Sequence, residues 1–122
     1  MKLRIKGDSI RLRLTQTEVR QFAETGIVES AMQVSPGVRL VYGLRAADCA
    51  RLAVEMMQTG VTVVVPSDWG AEWAGSDEVG LRGEQDAGGG HSLSILVEKD
   101  FECLHRRPDE DDAFPHPDAY TR

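Results

Sequence analysis

Long apolar runs are missing from this 122-residue chain, and so are most of the spacings that announce chemistry. No stretch approaches the ~20 consecutive apolar residues of a bilayer-spanning helix, so no membrane partner is expected. The opening MKLRIKGDSIRLRL breaks its aliphatics with charge and lacks the continuous apolar core of a secretory signal. A cytoplasmic protein is the expectation. Cysteine is scarce: Cys49 and Cys103 make no disulfide framework, and in a reducing compartment both are expected as free thiols. No CxxC, HxxxH or HExxH spacing occurs, which removes the common zinc motifs. The glycine run Gly88, Gly89, Gly90 is followed by His91 rather than by the Lys-Ser/Thr of a phosphate loop, and so reads as a hairpin loop. Aromatic residues are only 6%, and none interleaves the basic N-terminal segment as a single-strand binder's stacking platform requires.

What is present is enough for one core. Hydrophobic residues make up 41%, and a chain of this length is expected to fold as a single domain. The net charge of -6 is unevenly spread. Residues 1–13 hold Lys2, Arg4, Lys6, Arg11 and Arg13 against Asp8 alone, while residues 98–122 hold eight acids against four cations. Overall acidity disfavours general nucleic-acid affinity but leaves a local anion site open.

Hydrophobic patterning organises the chain as two copies of one unit. In the first, Leu3 and Ile5, then Ile10, Leu12 and Leu14, alternate with cations around a Gly7-Asp8-Ser9 turn. That period of two predicts a hairpin with one buried and one cationic face. The residues TQTE from Thr15 form a capping box, and Val19, Phe22 and Ala23 make the stripe of a short helix that Gly26 stops. Val28, Met32 and Val34 then alternate inward, Ser35-Pro36-Gly37 turns, and Leu40, Tyr42 and Leu44 return. Advancing the numbering by 51 lays Val61, Val63 and Val65 on Ile10, Leu12 and Leu14 without a gap. It also places Trp73 on Phe22, Val79 on Val28 and Gly88 on Gly37. Identity is poor, so the repeat rests on inward parity, since a one-residue slip turns a strand inside out. The expected fold is α+β: two tandem ββαββ units, 1–46 and 52–97, forming a barrel-like or sandwiched antiparallel sheet core with two short helices. The globular domain is expected over 1–100 and an acidic, partly extended tail over 101–122.

Residues 48–60 are contested. Cys49, Leu52, Ala53, Met56 and Met57 have helical spacing, with Asp48 as cap and Gly60 as stop. The repeat instead demands a strand over 52–57, with Val54 and Met56 in the places of Leu3 and Ile5. The strand is preferred, because pairing outweighs propensity differences of a few tenths of a kcal/mol per residue.

Two stretches, MKLRIKGDSIRLRLTQTEV and ILVEKDFECLHRRPDEDDAFPHP, resemble a family of small bacterial proteins carried as a domain of unknown function. That resemblance spans nearly the whole chain, implies a strand over 52–57, and brings no activity, cofactor or site residue with it. The order ββαββ is also similar to the swapped-hairpin unit of AbrB-type transcription factors and antitoxins, where two copies interleave into one barrel. This second likeness implies a DNA-binding regulator as an alternative function, although fold alone does not fix function. The second copy departs from the pattern of the first by lacking its cationic alternation.

Candidate chemistry sits in two places. Lys2, Arg4, Lys6, Arg11 and Arg13 project from one side of a hairpin and form a candidate anion-binding face, weighed against a simple solvated sheet surface or one paired with the acidic run at 109–112. Cys103 and His105, two apart, with His116 beyond, are the candidate metal ligands, and zinc is the metal they would suit. As a thiol–base pair they are too loose, about 7 Å apart at Cα on an extended strand. Trp69 and Trp73 read as core, His91 as exposed, and Phe114 as a possible anchor of an extended terminus. The expectation is a non-catalytic binding or regulatory module with a protein or anionic partner and no resident cofactor. The competing class is a transition-metal protein centred on Cys103 and His105.

Overall fold

A computed structural model of the chain describes residues 1–101. The first unit runs β1 (Lys2–Ile5), β2 (Ser9–Leu14), α1 (Gln16–Thr25), β3 (Ile27–Ser35), β4 (Val38–Ala47). The second runs β5 (Ala53–Met57), β6 (Gly60–Pro66), α2 (Ser67–Gly75), β7 (Gly80–Gly88), β8 (His91–Lys99). The fold is α+β with two ββαββ units.

The hairpins are swapped between units. One four-stranded sheet has the order β1-β2-β8-β7 and the other β3-β4-β6-β5, so each takes one hairpin from either unit. Within a hairpin the strands are antiparallel. The central seams, β2 with β8 and β4 with β6, are parallel, which makes both sheets mixed rather than purely antiparallel as expected. Exchanging the two units converts one strand order into the other, the mark of a pseudo-twofold.

The strand registers also correct the ungapped repeat. Leu3 opposite Leu12 corresponds to Val54 opposite Val63, an advance of 51. Val28 opposite Leu44 corresponds to Leu81 opposite Val97, an advance of 53. Backbone bonds agree: Ala46 N–H to Gly26 O is matched by Lys99 N–H to Val79 O, and Val41 N–H to Thr59 O by Ser94 N–H to Asp8 O. Two extra residues therefore lie between the end of α2 and Val79. Val79 is exposed and matches Gly26, not the buried Val28, and Gly37 matches Gly90, not Gly88. The Pro36-Gly37 turn, with Gly37 at φ 75°, and the Gly89-Gly90 turn, with Gly90 at φ 82°, both need the left-handed conformation that glycine supplies.

Alternation puts Ile10, Leu12, Leu14, Ile95 and Val97 from one sheet against Val28, Leu44, Val61, Val63 and Val65 from the other, in a single core. The helices close one end. Phe22 of α1 meets Trp73 of α2 edge-on, ring centroids 6.1 Å apart and planes at 67°, which places the two aromatics in matching roles. Trp73 is fully buried and its indole N–H donates to Val79 O, whereas Trp69 is partly exposed, against the expectation that both are core. Ala23 is exposed, so the α1 stripe narrows to Val19 and Phe22.

Segment 53–57 is a strand, not a helix. Five registered pairs to β6 hold it, and Leu52 is buried just before it. At its outer edge the Gln85 side chain takes the place of a neighbouring strand, accepting from Val54 N–H at 2.7 Å and donating to Val54 O at 3.3 Å. The end of the barrel opposite the helices carries the four hairpin turns. There Met32, Val34 and Leu40, expected to face inward, are exposed, because the β3–β4 hairpin runs past the last β4–β6 pair at Val41–Gly60.

Candidate anion-binding face

The outer face of the first sheet is built from the residues that the core leaves over. With Ile10, Leu12 and Leu14 inward, Arg11 and Arg13 must point out, and register extends this parity across four strands. Three rows result. The first is Lys2–Arg13–Glu98–Gly80, the second Arg4–Arg11–Leu96–Arg82, and the third Lys6–Ser9–Ser94–Glu84. All five predicted cations lie on this one face.

They are not equivalent. Lys2 Nζ is 3.1 Å from Asp100, and Arg13 donates from Nε to Glu98 at 2.7 Å, so the first row is internally compensated. Arg11 is 3.7 Å from the same Glu98 carboxylate oxygen, outside hydrogen-bond distance. Partial burial, and then the neighbouring Arg13 and Arg4 cations, push the Arg11 guanidinium below its ordinary pKa, while Glu98 opposes the shift. Arginine stays charged throughout the physiological range, so Arg11 remains a cation whose charged form is disfavoured first by burial and only then by its cationic neighbours.

The middle row adds a residue that sequence reading missed. Arg82 on β7 reaches the face because β7 pairs β8 and β8 pairs β2. Among the described residues Arg82 forms no ion pair. The signal existed in the outward parity of Arg82 beside Leu81, but it became spatial only once the swapped pairing joined unit two to unit one. Arg4, Lys6, Arg11 and Arg82, with one acid, Glu84, and with Ser9, Ser94 and Leu96, line an open groove of about 630 Å³, within the ~300–1,000 Å³ range of ligand sites. The stems of Arg11 and Arg82 flank Leu96 about 10 Å apart, two inter-strand spacings.

The pseudo-symmetric row on the second sheet gives a contrast within the same molecule. Arg4, Arg11, Leu96 and Arg82 correspond to Glu55, Thr62, Gly43 and Glu29. The cationic row is thus a property of one face only. On the other face Glu55 pairs with Arg45 at 2.6 Å.

Cys103, His105 and His116, the predicted metal ligands, and Phe114 lie outside the described residues. Among the described residues no group of three His, Cys, Asp or Glu side chains could hold a metal ion. Cys49 is a partly buried free thiol. His91 is exposed as expected, with Nδ1 3.1 Å from Asp8. No described helix is long and apolar enough to cross a membrane.

Fold and face together define a duplicated, hairpin-swapped β-rich protein that presents cations on one outer sheet face. The chain belongs to the Family of unknown function (DUF7009), whose model matches residues 1–118. No curated protein matches it, and no solved structure does.

Proposed function

We propose that the protein is a non-catalytic binding module that receives a short anionic segment of a protein partner on the middle row of the first sheet. The observation that carries this reading is the Arg4–Arg11–Leu96–Arg82 row itself, which brings together cations from both units along one groove. Guanidinium groups favour planar, bidentate contacts to carboxylates. Leu96, central in the row, suits the aliphatic stem of a glutamate side chain.

The rows on either side limit the ligand. Glu98 above and Glu84 below stand about 7 Å from the middle row along the strands. Glu98 is already paired with Arg13, so Glu84, which lines the groove, is the acid that limits how many negative groups fit there. With the net charge of -6, this favours one or two carboxylates of an acidic peptide over a continuous phosphate backbone.

The test is fluorescence anisotropy with a labelled oligoglutamate peptide at low and moderate salt. Binding weakened by salt, and weakened about tenfold or more by Arg11→Ala with Arg82→Ala, a change of about 1.4 kcal/mol, is the expected result. Equal binding by that double variant, or none at low salt, would remove the reading. Tighter and more salt-sensitive binding of a short DNA duplex would replace it with the nucleic-acid alternative.

A further inference from the structure

The duplicated architecture allows the same structural arm to be compared twice. In unit two the β7–β8 hairpin extends toward the turn end of the barrel, and polar contacts tie it down. Gln85 bonds both backbone groups of Val54 on β5, and His91 reaches Asp8 in the β1–β2 turn. In unit one the corresponding positions on β3–β4 are Met32 for Gln85, Val34 for Ala87, Val38 for His91 and Leu40 for Leu93. These four are 51%, 57%, 50% and 36% exposed, on a two-stranded ribbon that reaches beyond its last pairing with β6. Among the described residues, no side chain of 31–40 bonds outside its own hairpin. Ile5, 65% exposed, and Met56, 78% exposed, lie at the same end of the barrel.

In unit two the positions of Met32, Val34 and Val38 are held by Gln85, Ala87 and His91, and only Leu93 keeps a large apolar side chain, so the fold does not require methionine and valine on this arm in unit one. An isolated two-stranded ribbon is marginal in water, and an exposed apolar face on it calls for a cover. We propose that the apolar face of the β3–β4 arm is the dimer interface of this chain, and that its occupant is the same arm of a second copy.

Two observations select a second copy over a foreign protein. The four arm residues carry no charge in a chain that is 28% charged, so the patch has none of the complementary charge that discriminates and steers a foreign partner. Uncharged, apolar patches are the composition of homodimer interfaces, where one surface meets its own image across a twofold. In addition, β3 is an edge strand whose outer backbone groups are open to pairing, and a second β3 is a template of matching length.

Sedimentation velocity of the full chain across a dilution series reads the proposal. A species of twice the chain mass, dissociating on dilution, is expected. The decisive variant is Met32→Lys with Leu40→Glu. These residues are directly opposite across the hairpin, so an ion pair replaces the apolar pair and keeps the ribbon intact. That variant is expected to be monomeric, with an unchanged circular dichroism spectrum. A wild-type monomer at every concentration overturns the proposal. So does a variant that stays dimeric, which would put the interface elsewhere. A monomer whose residues 31–40 resist hydrogen exchange until Phe114→Ala is introduced would make the chain's own C-terminal segment the occupant, and would also overturn it.

Discussion

Gly70 and Phe22 show how single positions carry the duplication. Gly70 sits on α2 where the pseudo-twofold places Val19 on α1, and both helices pack toward the same aromatic pair. A Cβ on Gly70 would lie 2.8 Å from Phe22 Cζ and 3.4 Å from Val65 Cγ1. Exposed helical glycines gain about 1 kcal/mol when replaced by alanine. Here the ring that must yield is buried and already fixed edge-on against Trp73, so the overpacking cost of about 1–3 kcal/mol wins. Gly70→Ala is therefore expected to lower the midpoint of urea unfolding, and a raised midpoint would show that Phe22 can rotate away freely. Phe22 and Trp73 were legible in the sequence as an equivalent pair. Gly70 was not, because a missing side chain leaves no trace in a hydrophobic pattern.

At the scale of elements, the two helices start differently. Thr15 accepts from Glu18 N–H at 3.3 Å and Glu18 accepts from Thr15 N–H at 2.9 Å, the capping box read directly from TQTE, whereas α2 begins at Pro66 with no side-chain cap. The Met1 ammonium also lies 2.6 Å from Glu18. Partial burial raises the Glu18 pKa, but the hydrogen bonds from the Met1 ammonium and Thr15 outweigh it, and the carboxyl is held below its ordinary value. A depressed carboxyl contributes stability above its unfolded pKa of about 4.3 and loses it as pH falls through the folded value. Glu18→Gln is thus expected to be less stable than wild type near neutrality, with the gap closing as the solution is acidified. A pH-independent gap in denaturant titrations would assign the loss to packing instead. The strand over 53–57 was legible only through the repeat, since its own residues have helical spacing. The slip between α2 and β7 was hidden for a physical reason: two inserted residues restore strand parity, so the alternation stays in phase, and it is burial, with Val79 exposed where Val28 is buried, that reveals the shift. Parity detects odd errors and is blind to even ones.

For the whole molecule, hairpin swapping turns a linear repeat into two sheets that share one interior and expose opposite faces. Because the sheets are pseudo-equivalent, whatever one outer face tolerates is evidence for what the other can tolerate. The middle row reads Arg4–Arg11–Leu96–Arg82 on one side and Glu55–Thr62–Gly43–Glu29 on the other. The core beneath is made by the alternate residues, so it is indifferent to the sign of the charge above it. The clustered cations of β1 and β2 were visible in the sequence, but the asymmetry between faces was not, because it depends on which hairpins become neighbours. Arg82→Glu imposes on the first sheet the charge that the second already carries at Glu29. This variant is expected to fold, with a melting temperature within a few degrees of wild type, since Arg82 has no ion pair among the described residues and surface changes away from packing cost about 0.5 kcal/mol or less. It is also expected to lose binding of the oligoglutamate peptide. Retained binding would place the anion contact elsewhere on the surface. A large drop in melting temperature would show instead that Arg82 is needed to hold the sheet itself.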